Sequence, residues 1–169
     1  LFGDGAGAAV VVSEPGPRGV LASLMRYSGK YWELLSVRAT GTRATLDSEV
    51  RRAPDDAIKM KGPELFKIAV KSMEEVSRDV AARAKVALAD VNLIVPHQAN
   101  LRIINAVAER LGLPPEKVFT NIDRYGNTSA ASVPIALDEA LETKRMHDND
   151  LVMLCACGGG LTWGANILR

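Results

Sequence analysis

The feature that most constrains the fold is an alternation of amphipathic helices with a short apolar strand in the middle of the chain. Apolar residues recur at intervals of three and four from Pro63 to about Val86, which predicts a long helix with one buried face. The segment Val91–Val95, apolar except at Asn92, predicts a short buried strand. A second helix follows, which Asn100 can cap and Gly112 can end. Because helix, strand and helix alternate, the pattern favours a sheet with helices on its faces.

Apolar runs elsewhere in the chain predict further strands and a third helix. We expect strands over residues 6–12, 19–27, 151–157 and 161–168. The first of these is apolar at every position, which is typical of a strand covered on both faces, and the turn Glu14–Pro17 makes the second strand its hairpin partner. A third helix is expected from about Ser129 to Thr143. Residues 28–60 lose this periodicity and are interpreted as a long loop or lid.

Length, charge and hydropathy exclude several classes of protein. The chain has 169 residues, enough for one domain with a sizeable core. Its 21 Lys and Arg against 20 Asp and Glu leave a net charge of +1, so no overall field favours nucleic acid or an anionic membrane. The apolar runs are far shorter than the roughly 20 residues of a membrane span. Cys155 and Cys157 lie two apart on one predicted strand and are poor disulfide partners, which makes the cytoplasm the expected location.

A histidine stands between the predicted buried strand and the second helix. His97 directly follows Pro96, and the ends of strands in α/β sheets are where sites are built. The nearby helix N-terminus disfavours the imidazolium, so His97 is expected to stay neutral and to donate a hydrogen bond from one ring nitrogen. A structural histidine that ties the strand to the helix explains the same motif equally well.

Two further segments offer hydrogen-bond donors near the ends of predicted elements. Asn127 follows a glycine in the turn before the third helix, where its carboxamide can donate to a developing oxyanion or, more commonly, cap the helix. Gly158–Gly160 joins the last two strands, and such a run serves either a tight hairpin or the close approach of backbone amides to a ligand. Together with a neutral histidine, these groups would bind one oxygen that becomes negative.

This set of residues lacks a convincing nucleophile. Cys155 and Cys157 lie on an apolar strand with no basic neighbour in sequence, where thiols are usually inert packing groups. A hydrolase that uses Cys157 with His97 stays open as an alternative. Gly3–Gly7 lacks the preceding strand of a dinucleotide-binding loop. His147 is interpreted as a solvated loop residue, and no cluster has the spacing of metal ligands, so no metal is expected.

Three ordered motifs resemble a known family. The motifs are Val95–Asn100, Gly126–Ser132 and Gly158–Gly164. Together they closely resemble the C-terminal half of β-ketoacyl-acyl-carrier-protein synthase III, one of the thiolase-fold condensing enzymes. Phe2–Ala8 is similar to the strand that opens the family's second half, and Met60–Lys67 is similar to its pantetheine-tunnel segment. The resemblance implies that residues 1–169 form one α/β, thiolase-like domain, with a mixed five-stranded sheet and helices on its faces.

The resemblance also implies an acyltransferase with a Cys-His-Asn site. In the family the Cys belongs to the first half of the polypeptide, which this chain lacks, and takes the acyl group from an acyl-CoA primer. His97 and Asn127 match the other two members, which bind the thioester oxygen of malonyl-acyl-carrier-protein as decarboxylation makes it an enolate. The carbanion then attacks the acyl-cysteine, a Claisen condensation that starts fatty-acid synthesis. Gly159 matches the backbone amide that helps to hold the acyl oxyanion.

The partners and binding residues follow from the same resemblance. Asn100 matches a residue that contacts the pantetheine arm, and Gly62 and Phe66 line the tunnel. Lys67 and Arg102 match basic residues near the tunnel mouth. With Lys59, Lys61 and Lys71, these two residues form a candidate patch for an acidic carrier protein. The N-terminal half and a second copy in a homodimer are the other expected partners, and no cofactor is expected beside the two substrates.

Two departures from the family pattern leave alternatives open. Pro63 stands where many relatives carry a polar tunnel residue, and Cys157 stands where a bulky aromatic residue is common. Both changes imply an enlarged or reshaped acyl pocket. A related thiolase-fold acyl transferase or synthase with another acyl donor or acceptor is therefore one alternative. A non-catalytic, carrier-protein-binding partner of the same fold is another.

Overall fold

A mixed sheet forms the centre of the fold in a computed structural model, which describes residues 1–37 and 57–169. Its strands are β1 (Val20–Tyr27), β4 (Leu93–Pro96), β5 (Val152–Gly158) and β6 (Thr162–Leu168). Within the described residues the sheet has four strands in the order β1-β6-β5-β4. Strands β4 and β5 are parallel, whereas β6 is antiparallel to both of its neighbours. Two short strands, β2 (Leu35–Ser36) and β3 (Lys59–Met60), form a separate antiparallel pair.

The helices are close to those that the sequence predicts. They are α1 (Gly62–Ala84), α2 (Leu101–Leu111), α3 (Ile122–Tyr125) and α4 (Ser132–Glu142), and a 3₁₀ turn at Ser129–Ala131 precedes α4. Asn100 caps α2 as predicted, because its Oδ1 accepts a hydrogen bond from Arg102 N at 2.8 Å. Gly112 ends the helix at φ 70°, the left-handed conformation that glycine adopts without strain. None of the helices in the described ranges is long and apolar enough to span a bilayer.

The helices cover both faces of the sheet. On one face α1 packs against β1, β5 and β6 and against α2, with Val76, Val80 and Met153 fully buried between the layers. On the other face Ala136 and Ala140 of α4 pack against the β4 side chains and β5. Alternate residues of β4 therefore face opposite clusters, as the period of a strand requires. The fold class is confirmed as α/β with helices on a mixed sheet.

The prediction of a strand over residues 6–12 is wrong, and with it the five-strand count. These residues belong to no described strand, and Val10 is 93% exposed. Strand β1 is present as predicted, but its partner is β6 rather than the apolar run. Residues 28–60 contain a 3₁₀ segment at Gly29–Leu34 with β2 and β3, and the rest of this predicted lid, residues 38–56, lies outside the described residues.

Gly3 and Gly7 allow the N-terminal segment to lie close to the turn and helix at 125–135. A Cβ added at Gly3 would come within 2.1 Å of Tyr125 O, and one at Gly7 within 2.5 Å of the Pro134 ring. The backbone therefore lies closer to the turn and helix at 125–135 than any side chain would permit. The segment therefore lies along the turn before α4 and along the start of that helix.

Candidate functional site

The predicted site residues converge on one cavity of about 690 Å³. It lies between the N-terminal part of α1, the start of α2, the turn before α4 and the end of β5. Every residue that the sequence predicts for the site lines it: His97, Asn127, Gly159, Asn100, Gly62, Phe66, Lys67 and Arg102. Segments that are up to about a hundred residues apart in the chain thus meet at one place, which the spacing alone could not establish.

A second cavity, of about 520 Å³, adjoins the first and is lined mainly by residues of β1, β5 and β6. His97, Ser129, Cys157 and Gly158 border both cavities. The imidazole and the Cys157 thiol therefore stand on the boundary between two spaces.

His97 is held at the end of β4 by its backbone and by its ring. Its N–H donates to Cys155 O on the parallel strand β5 at 2.8 Å. Its Nδ1 lies 2.5 Å from Oγ of the buried Ser132. Burial lowers the pKa of His97 below its ordinary value of 6.5, so the imidazole is neutral at neutral pH. The sequence predicts this neutrality from a helix N-terminus, whereas the structure gives burial as its cause.

We expect an NMR titration of His97 in the complete protein to give a midpoint below 6.5, because burial disfavours the imidazolium. The unfolded chain then binds this proton more tightly than the folded protein. Lowering the pH from 6.5 toward the folded midpoint therefore removes stability, and a His97→Gln variant should lose less over the same range. A midpoint at or above 6.5 would contradict the burial of this ring.

Asn127 makes a local side-chain bond just before the 3₁₀ turn, and no side chain caps α4 itself. Asn127 Oδ1 accepts from Ser129 N at 2.9 Å, the local bond of an Asx turn. This bond fixes the orientation of the carboxamide, so that Nδ2 carries the free donor protons. Gly126 precedes it at φ 67°, a conformation that favours glycine. The backbone of Asn127 also pairs with Leu1 O and Gly3 N, at 3.1 and 2.9 Å.

Gly159 lies in the turn that joins β5 to β6. The two strands pair up to Gly158 and Thr162, so the hairpin interpretation of the three glycines is correct. The N–H of Gly159 donates to no acceptor among the residues that the structure describes. Gly159 also lines the larger cavity, so its amide is available to a ligand there.

A buried polar network joins the two loops that carry His97 and Asn127. Gln98 is fully buried, and its Nε2 donates to Pro96 O at 2.8 Å and Phe119 O at 3.3 Å. Its Oε1 accepts from Asn121 N at 3.1 Å. Asn121 Nδ2 in turn donates to Glu139 Oε2 at 2.9 Å. Sequence reasoning missed this network, because nothing in the local pattern marks these polar residues as buried.

The predicted basic patch is only partly directed at the cavity. Lys61 pairs with Glu33 at 3.4 Å and Lys71 with Glu75 at 3.7 Å, all at exposed positions. The Arg102 guanidinium lies over the Phe66 ring, 5.5 Å from its centroid, and both residues line the cavity. The exposed Lys67 pairs with no acidic side chain in the ranges described, while Lys59 is not a cavity residue. Lys67 and Arg102 are therefore the cations at the cavity wall.

Neither cysteine has the properties of a nucleophile. Burial raises the pKa of Cys155 to about 12 and that of Cys157 to about 11, from an ordinary value of 9.0. Both thiols are therefore protonated at neutral pH, and only the thiolate is nucleophilic. Among residues 1–37 and 57–169, no group of three or more His, Cys, Asp and Glu residues could hold a metal ion.

Iodoacetamide should alkylate Cys157 slowly at pH 7.5. Raising the pKa from 9.0 to about 11 lowers the thiolate fraction about 100-fold relative to an unperturbed thiol. Mass spectrometry of tryptic peptides after timed labelling measures the rate, with free cysteine as the reference. Alkylation of Cys157 as fast as that of free cysteine would revive the Cys157–His97 hydrolase.

The comparison with protein families decides the affiliation of the chain. The family described as 3-oxoacyl-[acyl-carrier-protein (ACP)] synthase III C terminal matches residues 81–169, more than half of the chain. The chain belongs to this family. The resemblance that the three motifs carry is thereby confirmed. The synthase III C-terminal family accounts for α2, α3 and α4 and for strands β4 to β6. The segments that connect these elements carry His97, Asn127 and Gly159.

Named relatives and solved structures extend the likeness over the rest of the chain. Beta-ketoacyl-[acyl-carrier-protein] synthase III of Aquifex aeolicus is 51% identical over 100% of this chain and 50% of that protein. The protein of the same name from Desulfotalea psychrophila is 46% identical over 100% and 52%. The crystal structure of the Aquifex aeolicus synthase III superposes with a TM-score of 0.82 at 48% identity, covering 93% of this chain and 46% of that one. The Thermus thermophilus synthase III gives 0.83 at 38% identity, covering 94% and 48%. The chain thus spans about half the length of the curated relatives it matches.

Proposed function

We propose that the complete protein condenses an acyl-CoA primer with malonyl-acyl-carrier-protein, with loss of carbon dioxide, and so starts fatty-acid synthesis. In this proposal residues 1–169 form its C-terminal thiolase-like domain, and the N-terminal half supplies the nucleophilic Cys. The observation that carries the proposal is the cavity in which the neutral His97, the oriented Asn127 and the Gly159 amide meet. The high pKa of Cys157, about 11, agrees with a nucleophile that comes from elsewhere.

The proposed chemistry uses these groups at two steps. Loss of carbon dioxide breaks the bond between the malonyl carboxylate and the α-carbon, and the electron pair moves onto the thioester oxygen as an enolate. His97 Nε2–H and Asn127 Nδ2–H donate to that oxygen, where donors held in place lower the barrier most. The α-carbon then attacks the acyl carbonyl on the Cys, with the Gly159 amide donating to the new oxyanion. The Cys thiolate leaves as the product carbonyl re-forms.

The remaining cavity residues suit a pantetheine arm and a carrier protein. Gly62 and Phe66 lie in the first turns of α1 and line the cavity. Asn100 keeps Nδ2 free of any partner in the described residues because the helix cap uses only Oδ1. In the proposal these three contact the pantetheine arm. Lys67 and Arg102 then attract the acidic surface of the acyl-carrier-protein by charge. The protein is proposed to act in the cytoplasm as a homodimer, without a cofactor.

One observation favours a second candidate within the same reaction class. The small Cys157 side chain, rather than a bulky one, stands on the boundary of cavities of about 690 and 520 Å³. An acyl chain longer than acetyl can extend from one into the other past a thiol. A synthase with a branched or longer primer is therefore the related alternative, and competition between acyl-CoAs of different length separates the two.

The test is an assay of the complete protein with acyl-CoA and malonyl-acyl-carrier-protein. We expect release of carbon dioxide and coenzyme A together with a 3-oxoacyl-carrier product. Carrier-protein binding without either release would favour a non-catalytic binding partner of this fold. Absence of both turnover and carrier binding would overturn the proposal altogether.

A further inference from the structure

The buried hydroxyl of Ser132 lies against Nδ1 of the His97 ring. Ser132 is the first residue of α4 and is only 2% exposed. Its Oγ lies 2.5 Å from His97 Nδ1 and accepts from Gln98 N at 3.2 Å. Either of these two atoms is able to carry the proton of the bond between them.

The inventory of protons decides between the two arrangements. A serine hydroxyl has one proton to donate and two lone pairs that accept. Gln98 N–H occupies one lone pair. Among the described residues, His97 Nδ1 is the one acceptor within reach of the hydroxyl proton. If Nδ1 carried a proton itself, the buried hydroxyl proton of Ser132 would lack an acceptor, which is costly.

We propose that Ser132 is a positioning residue whose hydroxyl donates to His97 Nδ1 and so holds the neutral ring with its proton on Nε2. Nε2 has no partner within the described residues, and His97 borders both cavities, so this N–H is offered to a bound substrate. The position of the proton follows from the bonds of Ser132 to His97 and Gln98. Its catalytic consequence, donation to the enolate oxygen, rests on the proposed function.

The surroundings of Ser132 keep the hydroxyl in this orientation. Gln98 is fixed on one side by its side-chain bonds to Pro96 O and Asn121 N. Its backbone N–H therefore points at Ser132 Oγ without freedom to turn away. On the other side, α4 begins at Ser132 and carries Ala136 and Ala140 in the core. The Gln98 backbone and the start of α4 thus hold the hydroxyl in place. A group that orients a catalytic side chain must itself be held in this way.

The direct test is long-range ¹H–¹⁵N NMR of the complete protein labelled at histidine, with His97→Gln for assignment. We expect the signature of a proton on Nε2 and an unprotonated Nδ1 in the unsubstituted protein. A proton on Nδ1 would overturn the inference even if the enzyme condenses as proposed. Conversely, a protein with the proton on Nε2 and no condensing activity would refute the proposed function and leave this inference intact.

Variants test the consequence for the reaction. Ser132→Ala should shift protons toward Nδ1 and lower kcat for decarboxylation about tenfold, the loss expected for one hydrogen bond, while KM for the malonyl substrate changes less than about twofold. Ser132→Thr keeps a hydroxyl and should restore both the tautomer and most of kcat. Ser77→Ala, which removes another fully buried serine hydroxyl on α1, is the matched control and should leave both unchanged. An unchanged tautomer in Ser132→Ala would overturn the proposal.

Discussion

Replacing His97 by alanine in the complete protein should lower the rate of malonyl-thioester decarboxylation by about two to three orders of magnitude. Loss of one donor to a developing oxyanion has an effect of about this size. The imidazole is neutral because burial lowers its pKa, and it borders both cavities, so the alanine variant lacks this N–H donor there. Release of carbon dioxide from a malonyl thioester, followed without a primer, isolates this step.

The chain offers a matched control for this variant. His147 is its other histidine, 69% exposed in the side chain and outside both cavities. His147→Ala should decarboxylate at the unsubstituted rate. Acylation of the proposed N-terminal Cys should also persist in His97→Ala, because that step needs no enolate. Equal decarboxylation in His97→Ala and the unsubstituted protein would contradict the role given to this imidazole.

Replacing Gln98 by leucine should reduce the free energy of unfolding by about 2–4 kcal/mol. The change leaves buried backbone groups at Pro96, Phe119 and Asn121 without their partner, and an unpaired buried polar group costs about 1–3 kcal/mol. These costs do not add fully, because the neighbours share one site. Denaturant unfolding of the complete protein measures the loss.

An exposed residue near the same network provides the comparison for Gln98→Leu. Asp123 lies on α3 and is exposed, so Asp123→Asn should change stability by less than about 0.5 kcal/mol. Because Gln98 links the His97 loop to the turn that leads to Asn127, Gln98→Leu should also lower kcat. A loss of stability no greater than that of Asp123→Asn would mean that the network does not support the site.

The helices and inner strands were predictable because their signals are local. The periodicity from Pro63 to Val86 reports a face buried on the sheet, and the observed α1 differs from it by one or two residues at each end. Asn100 and Gly112 end α2 where capping chemistry requires. Three motifs shared with a known family also mark His97, Asn127 and Gly159 as members of one predicted site.

What the sequence could not reveal depends on contacts between distant segments. An apolar run such as residues 6–12 becomes a strand only beside a partner, and the glycines at its start and before it lie against the 125–135 segment instead. Gln98, Ser132 and Glu139 look like ordinary surface residues in sequence, yet all three are buried. Their burial follows from α4 packing on β4, and no local pattern encodes that contact.

The most direct test of the account is a crystal structure of the complete protein with a malonyl-thioester analogue that cannot lose carbon dioxide. The account predicts that the thioester oxygen lies about 2.7–3.1 Å from both His97 Nε2 and Asn127 Nδ2. A thioester oxygen bonded to only one of these atoms, or bound outside the cavity that they share, would contradict it.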